Sequence, residues 1–208
     1  MKILVVAATE FEIEPFICEK NNVDILITGV GIPATVFHLT KKLLENKYDL
    51  AIQAGIAGTF NNQIKKANVV MVSEDAFAEI GIDEKQNFTT LFENGFINEN
   101  DFPYKNGWLK NTSSFLLNNA LPKVKGITIN TITDNEKRIK TIIDKFNPAI
   151  ESMEGAAFHY VCLQQKINFI QIRGISNEVG ERDKTKWKMK NSIANLNMEL
   201  KNLIQKFS

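Results

Sequence analysis

Arginine is scarce in this chain: Arg138, Arg173 and Arg182 are the only three, and none lies in the first half. Phosphate sites are built on arginine forks and clustered cations, so a phosphate-consuming enzyme is poorly supported. Cysteine is nearly absent too. Cys18 and Cys162 sit in unrelated segments without CxxC spacing, which excludes a disulfide scaffold or thiolate metal site and predicts free thiols in a reducing cytoplasm. The two histidines, His38 and His159, stand alone on helical patterns, so no metal is expected. No apolar run approaches the ~20 residues of a membrane span. The run at the start, Ile3 to Ala7, is too short for a signal peptide and leads straight into acids. A net charge of +1, with lysines dispersed among acids, argues against nucleic acid as a partner. No organic cofactor is implied either.

What is present is an ordinary globular composition of 208 residues, 44% hydrophobic and 24% charged, enough for one domain spanning 1–208. Apolar, β-branched runs at 3–7, 23–28, 50–54, 69–72 and 167–175 lack polar alternation, as strands covered on both faces do. Weaker runs lie at 127–132 and 149–152. Helical patterns fall at 33–46, 135–146, 153–165 and 190–207. The last carries Ile193, Leu196, Leu200, Leu203 and Phe207 on one stripe. Strands alternating with helices predict an α/β fold: a central mixed, largely parallel twisted sheet flanked by helices in three layers. Residues 79–109 are polar and irregular in period, suited to a pocket wall or a subunit contact.

Open α/β sheets present chemistry at the carboxyl ends of their strands. Two places fit. Ser152-Met153-Glu154-Gly155-Ala156-Ala157 opens a helix with one acid, and the run at 167–175 ends in Ser176-Asn177. Glu10, Glu12 and Glu14 follow the first strand with period two. Helix-dipole preference explains two of these acids; the third can point back over the strand end. Gly29-Val30-Gly31-Ile32-Pro33-Ala34 matches a dinucleotide loop, but the next strand ends in Gly55 without the ribose-binding acid, and Asp49 stands at its other end. There is no GxSxG nucleophile.

Taken in order, Ala8-Thr9-Glu10-Phe11-Glu12, Gly29-Val30-Gly31, Gly55-Ile56-Ala57-Gly58, Ser152-Met153-Glu154-Gly155-Ala156 and Arg173-Gly174-Ile175-Ser176-Asn177 resemble the purine nucleoside phosphorylase and nucleosidase family. Within it the chain is similar to methylthioadenosine/S-adenosylhomocysteine nucleosidases. It is closer to the futalosine hydrolases of menaquinone biosynthesis, through Val72 to Gly81 and Arg182 to Trp187. The matches span nearly the whole chain outside 94–125.

The resemblance implies three catalytic residues. Glu12 would activate the attacking water, Glu154 would hold the ribose hydroxyls with Met153 packed on the sugar, and Asn177 would read the base. Adenine-specific relatives carry Asp at the position of Asn177. An amide donates to a 6-oxo group and accepts from a protonated N7, which favours hypoxanthine as leaving base. It also removes the family's general acid, leaving N7 to be protonated through water or solvent. The substrate-binding set implied alongside is Ile56, Ala57, Gly58, Phe77, Met153, Arg173, Ser176 and Trp187. Trp187 would close over the 5′-substituent, with Arg182, Lys184, Lys186 and Lys188 near its carboxylate. Phe77, Phe96, Phe102, Tyr104 and Trp108 are further aromatic candidates, and no base-stacking ring stands near 131–135. Isoleucine at position 56, where a phosphate loop wants a hydroxyl, makes water the nucleophile. The expected activity is hydrolysis of futalosine by a homodimer or larger homo-oligomer, with a small-molecule purine nucleoside as its ligand. Adenine release would instead mark a methylthioadenosine/S-adenosylhomocysteine nucleosidase, and binding without turnover a non-catalytic nucleoside-binding protein.

Overall fold

The computed structural model describes residues 1–19, 22–85 and 87–207. β1 (Ile3–Ala7) leads to α1 (Glu10–Ile17), β2 (Asp24–Ile27), α2 (Ile32–Glu45) and the long β3 (Leu50–Thr59). β4 (Val69–Phe77) follows, then the antiparallel pair β5 (Gly81–Glu84) and β6 (Asn87–Thr90), the short β7 (Leu109–Lys110) and α3 (Ser114–Leu117). β8 (Lys123–Thr128), α4 (Glu136–Phe146), β9 (Ile150–Ser152), α5 (Gly155–Gln164), β10 (Asn168–Glu178) and α6 (Met189–Phe207) complete the order.

β1, β2, β3 and β10 run parallel, and β1 shows why its sequence lacks alternation. Ile3, Val5 and Ala7 point to one face, where Ile13 and Phe16 of α1 and Leu196, Leu200 and Leu203 of α6 pack. Leu4 and Val6 point to the other, against Leu39 of α2 and Phe158, Val161 and Cys162 of α5. Both faces are covered, so both sets of side chains are apolar. Each fully buried aliphatic side chain contributes about 1.5–3 kcal/mol, and the α6 stripe alone supplies Ile193, Leu196, Leu200 and Leu203. Phe207, the stripe's last member, is half-buried edge-on to Phe115 at 5.1 Å.

The sheet is mixed and helix-flanked as expected, but it does not stay open. Antiparallel pairings of β10 with β4 and of β9 with β3 close the circuit β3–β10–β4–β8–β9 on itself. β3, β4 and β10 run past their apolar runs to make this closure. The weak run at 127–132 is a strand only up to Thr128; its pairing extends backward through Lys123. α5 starts at Gly155, two residues later than its pattern, because Met153 and Glu154 form its entry. The irregular stretch 79–109 contains β5, β6 and the first residue of β7.

Two local features aim the site. Ile13 leaves helical geometry (φ −124°, ψ 17°) two residues before Pro15, kinking α1. Asn197 of α6 fills the break: its amide nitrogen donates to Glu12 O at 2.9 Å, and its oxygen accepts from Phe16 N at 3.1 Å. On β10 the register against β3 slips at Ser176, so Ile175 opposes Ala57 while Asn177 opposes Gly58. This bulge re-aims the end of the strand.

Candidate active site

The carboxyl ends of β1, β3, β9 and β10 surround a cavity of about 250 Å³. Of the three acids after β1, only Glu12 is buried; Glu10 and Glu14 face solvent. Each Glu12 oxygen is held. Oε2 accepts from the Thr9 amide at 3.2 Å and the Thr9 hydroxyl at 3.1 Å, and Oε1 accepts from the Ile56 amide at 3.0 Å. The first of these is the return half of a capping box. Helix capping and strand β3 therefore fix one carboxylate over the end of β1.

Glu154 immediately precedes α5 and is 4% exposed. Its Oε1 accepts from Gly31 N of the glycine loop at 3.0 Å, so that loop serves a carboxylate of the chain itself. Its Oε2 lies 3.7 Å from Arg173 Nη1. Burial pushes the Glu154 carboxyl above its ordinary value, and Arg173 and the Gly31 amide pull against that rise. Arg173 itself is 1% exposed, donating to Gln53 Oε1 at 2.9 Å and Ile56 O at 3.4 Å. Gly55 is required here, because a β-carbon would run into the guanidinium and stand 3.0 Å from Glu12 Oε1. The buried cation thus lies under the floor between two carboxylates. Deeper still, the fully enclosed Asp75 accepts from Thr128 Oγ1 at 2.9 Å and Gln171 Nε2 at 3.2 Å, and Thr128 accepts from Ala156 N at 2.6 Å. That chain anchors the start of α5. Burial raises Asp75 to about 7 against the pull of these partners.

Across the cavity stand Ser176 and Asn177. The Ser176 hydroxyl contacts Ala57 O at 3.2 Å and Asn177 Oδ1 at 2.7 Å, and Asn177 Nδ2 donates to Glu178 O at 2.8 Å. These bonds set the amide's orientation and leave it one lone pair and one N–H for a ligand. Glu12, Ile56, Ala57, Gly58, Met153, Glu154, Ser176, Asn177 and Trp187 all line the cavity. Trp187 is fixed by its indole N–H on Glu181 O at 3.0 Å. Two residues of the implied set do not line it. Arg173 lies beneath the floor, and Phe77 packs toward Tyr160 (centroids 6.2 Å apart) in a separate small cavity with Tyr104. Trp108 packs on Phe146, and Phe96 and Phe102 face solvent. Lys186 is paired with Glu181 at 2.7 Å. Sequence reasoning missed Phe11, Val30, Ile129, Ile132 and Glu151 on the cavity wall. The one sequence signal for Glu151 is its alternation with Ile150 in the middle of the three-residue β9.

No lysine or arginine lines this cavity among the described residues. A larger hollow of about 700 Å³ between the 90–108 segment and α4 is lined by Glu93, Trp108, Lys145 and Phe146. Its Glu93 is already paired with Lys145 at 2.7 Å, which pulls the carboxyl below its ordinary value. Among the described residues no group of three or more His, Cys, Asp or Glu side chains could hold a metal, and no helix is long and apolar enough to cross a membrane. Cys18 and Cys162 are free thiols.

A three-layer α/β core whose strand ends hold two carboxylates and an amide defines the class. The family model of the phosphorylase superfamily matches residues 3–207, and the chain belongs to that superfamily. It is similar to the futalosine hydrolase of Thermus thermophilus, 25% identical over 182 residues that cover 86% of this chain and 80% of the relative. It is also similar to that of Streptomyces coelicolor, 25% identical over 185 residues that cover 83% of this chain and 74% of the relative. Solved structures share the fold, among them the following two. A 5′-methylthioadenosine/S-adenosylhomocysteine nucleosidase from Colwellia psychrerythraea in complex with adenine superposes with TM-score 0.81, at 18% identity over 99% of this chain and 95% of that one. The futalosine hydrolase of Helicobacter pylori superposes with TM-score 0.80, at 13% identity over 99% and 98%.

Proposed function

We propose that this protein hydrolyses the N-glycosidic bond of futalosine, releasing hypoxanthine and dehypoxanthine futalosine on a route to menaquinone. The observation that carries the reading is one cavity in which two tethered carboxylates, Glu12 and Glu154, face the amide of Asn177 with no lysine or arginine on the wall among the described residues. Glycosidic cleavage builds positive charge on the ribose, which fixed carboxylates stabilise in a water-poor site. Glu154 accepts hydrogen bonds from the ribose hydroxyls while Met153 packs on the sugar. Glu12 orients a water and takes its proton as hydroxide adds to C1′. Asn177 donates to the 6-oxo group and accepts from N7–H. Trp187 and the exposed rim residues Phe11, Val30 and Ile132 suit an aromatic 5′-substituent. The missing cation favours water over phosphate as nucleophile. A single catalytic domain over 1–208, acting in the cytoplasm as a homodimer or larger assembly, completes the reading; the apolar rim supports self-association, which sedimentation equilibrium measures.

The test is incubation with futalosine, aminodeoxyfutalosine, methylthioadenosine and inosine, with and without phosphate, while assaying free base. Hypoxanthine from futalosine at a phosphate-independent rate is expected. Adenine from methylthioadenosine as the preferred reaction, or ribose 1-phosphate as product, overturns the reading.

A further inference from the structure

Glu151 is a carboxylate of the cavity wall for which the fold has no use. β9 pairs with β3 through Gly58↔Glu151 and with β8 through Ile127↔Glu151. Strand alternation then sends Ile150 into the apolar cluster of Val70, Val72 and Ile175 and turns Glu151 to the opposite face, into the cavity. The residue is 7% exposed, and its Oε2 is enclosed without a hydrogen-bond partner. An ionised carboxylate with an enclosed, unpaired oxygen is disfavoured, and taking up a proton relieves most of that penalty. The same strand pairing sets Glu151 beside the base-reading amide. Gly58 pairs with Asn177 on one side and Glu151 on the other, and a β-carbon there would stand 3.3 Å from Asn177 Nδ2 and 3.5 Å from Glu151 Cγ. Glycine keeps the gap between amide and acid open to a ligand.

We propose that Glu151 is the general acid of the reaction, donating its proton to N7 of the departing 6-oxopurine. This rests on the nucleoside-hydrolase reading above. As the C1′–N9 bond breaks, its electron pair passes to the base and the Glu151 proton to N7. Water adds hydroxide to C1′ and leaves its other proton on Glu12, and solvent returns that proton to Glu151. The base departs neutral, and both carboxyl groups regain their starting states. The groups around Glu151 suit a proton that comes and goes near neutrality. Burial raises its carboxyl to about 7, Glu79 after β4 adds to the rise, and Arg138 of α4 and Arg182 after β10 oppose it. Glu151 supplies the acid function that Asn177, as an amide, cannot.

The test compares wild type with Glu151→Gln, which keeps the shape and a hydrogen-bond donor but has no transferable proton. With futalosine, kcat falls about 100- to 1000-fold while KM stays within about threefold. The wild-type kcat profile declines above about pH 7, where the acid is deprotonated, and the variant loses that limb. With a 4-nitrophenyl ribofuranoside, whose leaving group departs as a stable anion, the variant loses less than about threefold. Equal losses on both substrates, or a variant that keeps wild-type kcat and its alkaline limb, overturn the proposal. The melting temperature of the variant at pH 8 is equal to or above wild type, which separates a lost acid from a damaged fold. Wild-type turnover of the nucleoside panel reports on the hydrolase reading independently. If another nucleoside is the substrate, the same comparison is made on that one.

Discussion

The two walls of the cavity are built on opposite principles. On the wall of Glu12 and Glu154 each carboxylate oxygen is met by a main-chain amide, the Thr9 hydroxyl or the Arg173 guanidinium. On the wall of Asn177 and Glu151 the amide is fixed by Ser176 and Glu178, but the acid beside it has an oxygen with no partner. Fixed dipoles around a charge avoid reorganisation when a cation develops opposite it. An acid with no hydrogen bond on its enclosed oxygen can change its protonation state, because only the more distant charges of Arg138 and Arg182 favour its ion. One wall is arranged to hold charge, and the other to give up a proton.

The sharpest way to break this contrast is to remove the cation beneath the first wall. Arg173→Met leaves Glu154 buried without its counter-charge and Gln53 without its donor. Urea unfolding should show a loss of about 3–5 kcal/mol. Unchanged stability would mean that the guanidinium does not hold this wall together. Next comes Glu12→Gln, which keeps an oxygen for the Ile56 or Thr9 amide but cannot take a proton. It should lower kcat about 100- to 1000-fold at nearly wild-type melting temperature. Activity within tenfold of wild type would remove Glu12 from the chemistry.

How much of each wall can be read from sequence follows from the same contrast. Glu12 and Glu154 stand in short motifs at a strand end and a helix start, where an acid suits the positive end of the helix dipole, and the structure brings them to one cavity. Glu151 lies in a three-residue strand whose only apolar signal is Ile150, and its exposure to the cavity depends on pairing with residues nearly a hundred positions away. β3 continues through Gly55-Ile56-Ala57-Gly58, of which only Ile56 favours a strand; the segment stays extended because β10 pairs along all four residues and β9 joins at Gly58. Closure of the sheet was unreadable for that reason. Asn197 is a further case, one amide on a long amphipathic helix that bridges the α1 kink behind Glu12. Asn197→Ala removes one hydrogen bond to Phe16 N and one to Glu12 O. It should cost about 2 kcal/mol of stability and reduce kcat more than it raises KM, since Glu12, the proposed base, loses its backing. A loss of stability with kcat intact would make the bridge purely structural.

The smallest expected effect addresses the second wall, through the choice between two bases. Asn177 offers one N–H and one lone pair beyond its internal bonds, a match for a 6-oxo group and N7–H. Asn177→Asp keeps the size but exchanges the donor for an acceptor, which faces a 6-oxo group with like polarity and a 6-amino group with a partner. The ratio of kcat/KM for futalosine to that for aminodeoxyfutalosine should therefore fall about tenfold to a hundredfold, or about 1.4–2.8 kcal/mol of relative transition-state binding. The new carboxylate also stands across Gly58 from Glu151. Two acids so placed disfavour double ionisation, so the alkaline limb of the kcat profile should move to higher pH in this variant. A changed base preference with an unmoved limb would confine Asn177 to recognition and separate it from the proton. A moved limb with an unchanged preference would show that the amide does not read the base at all.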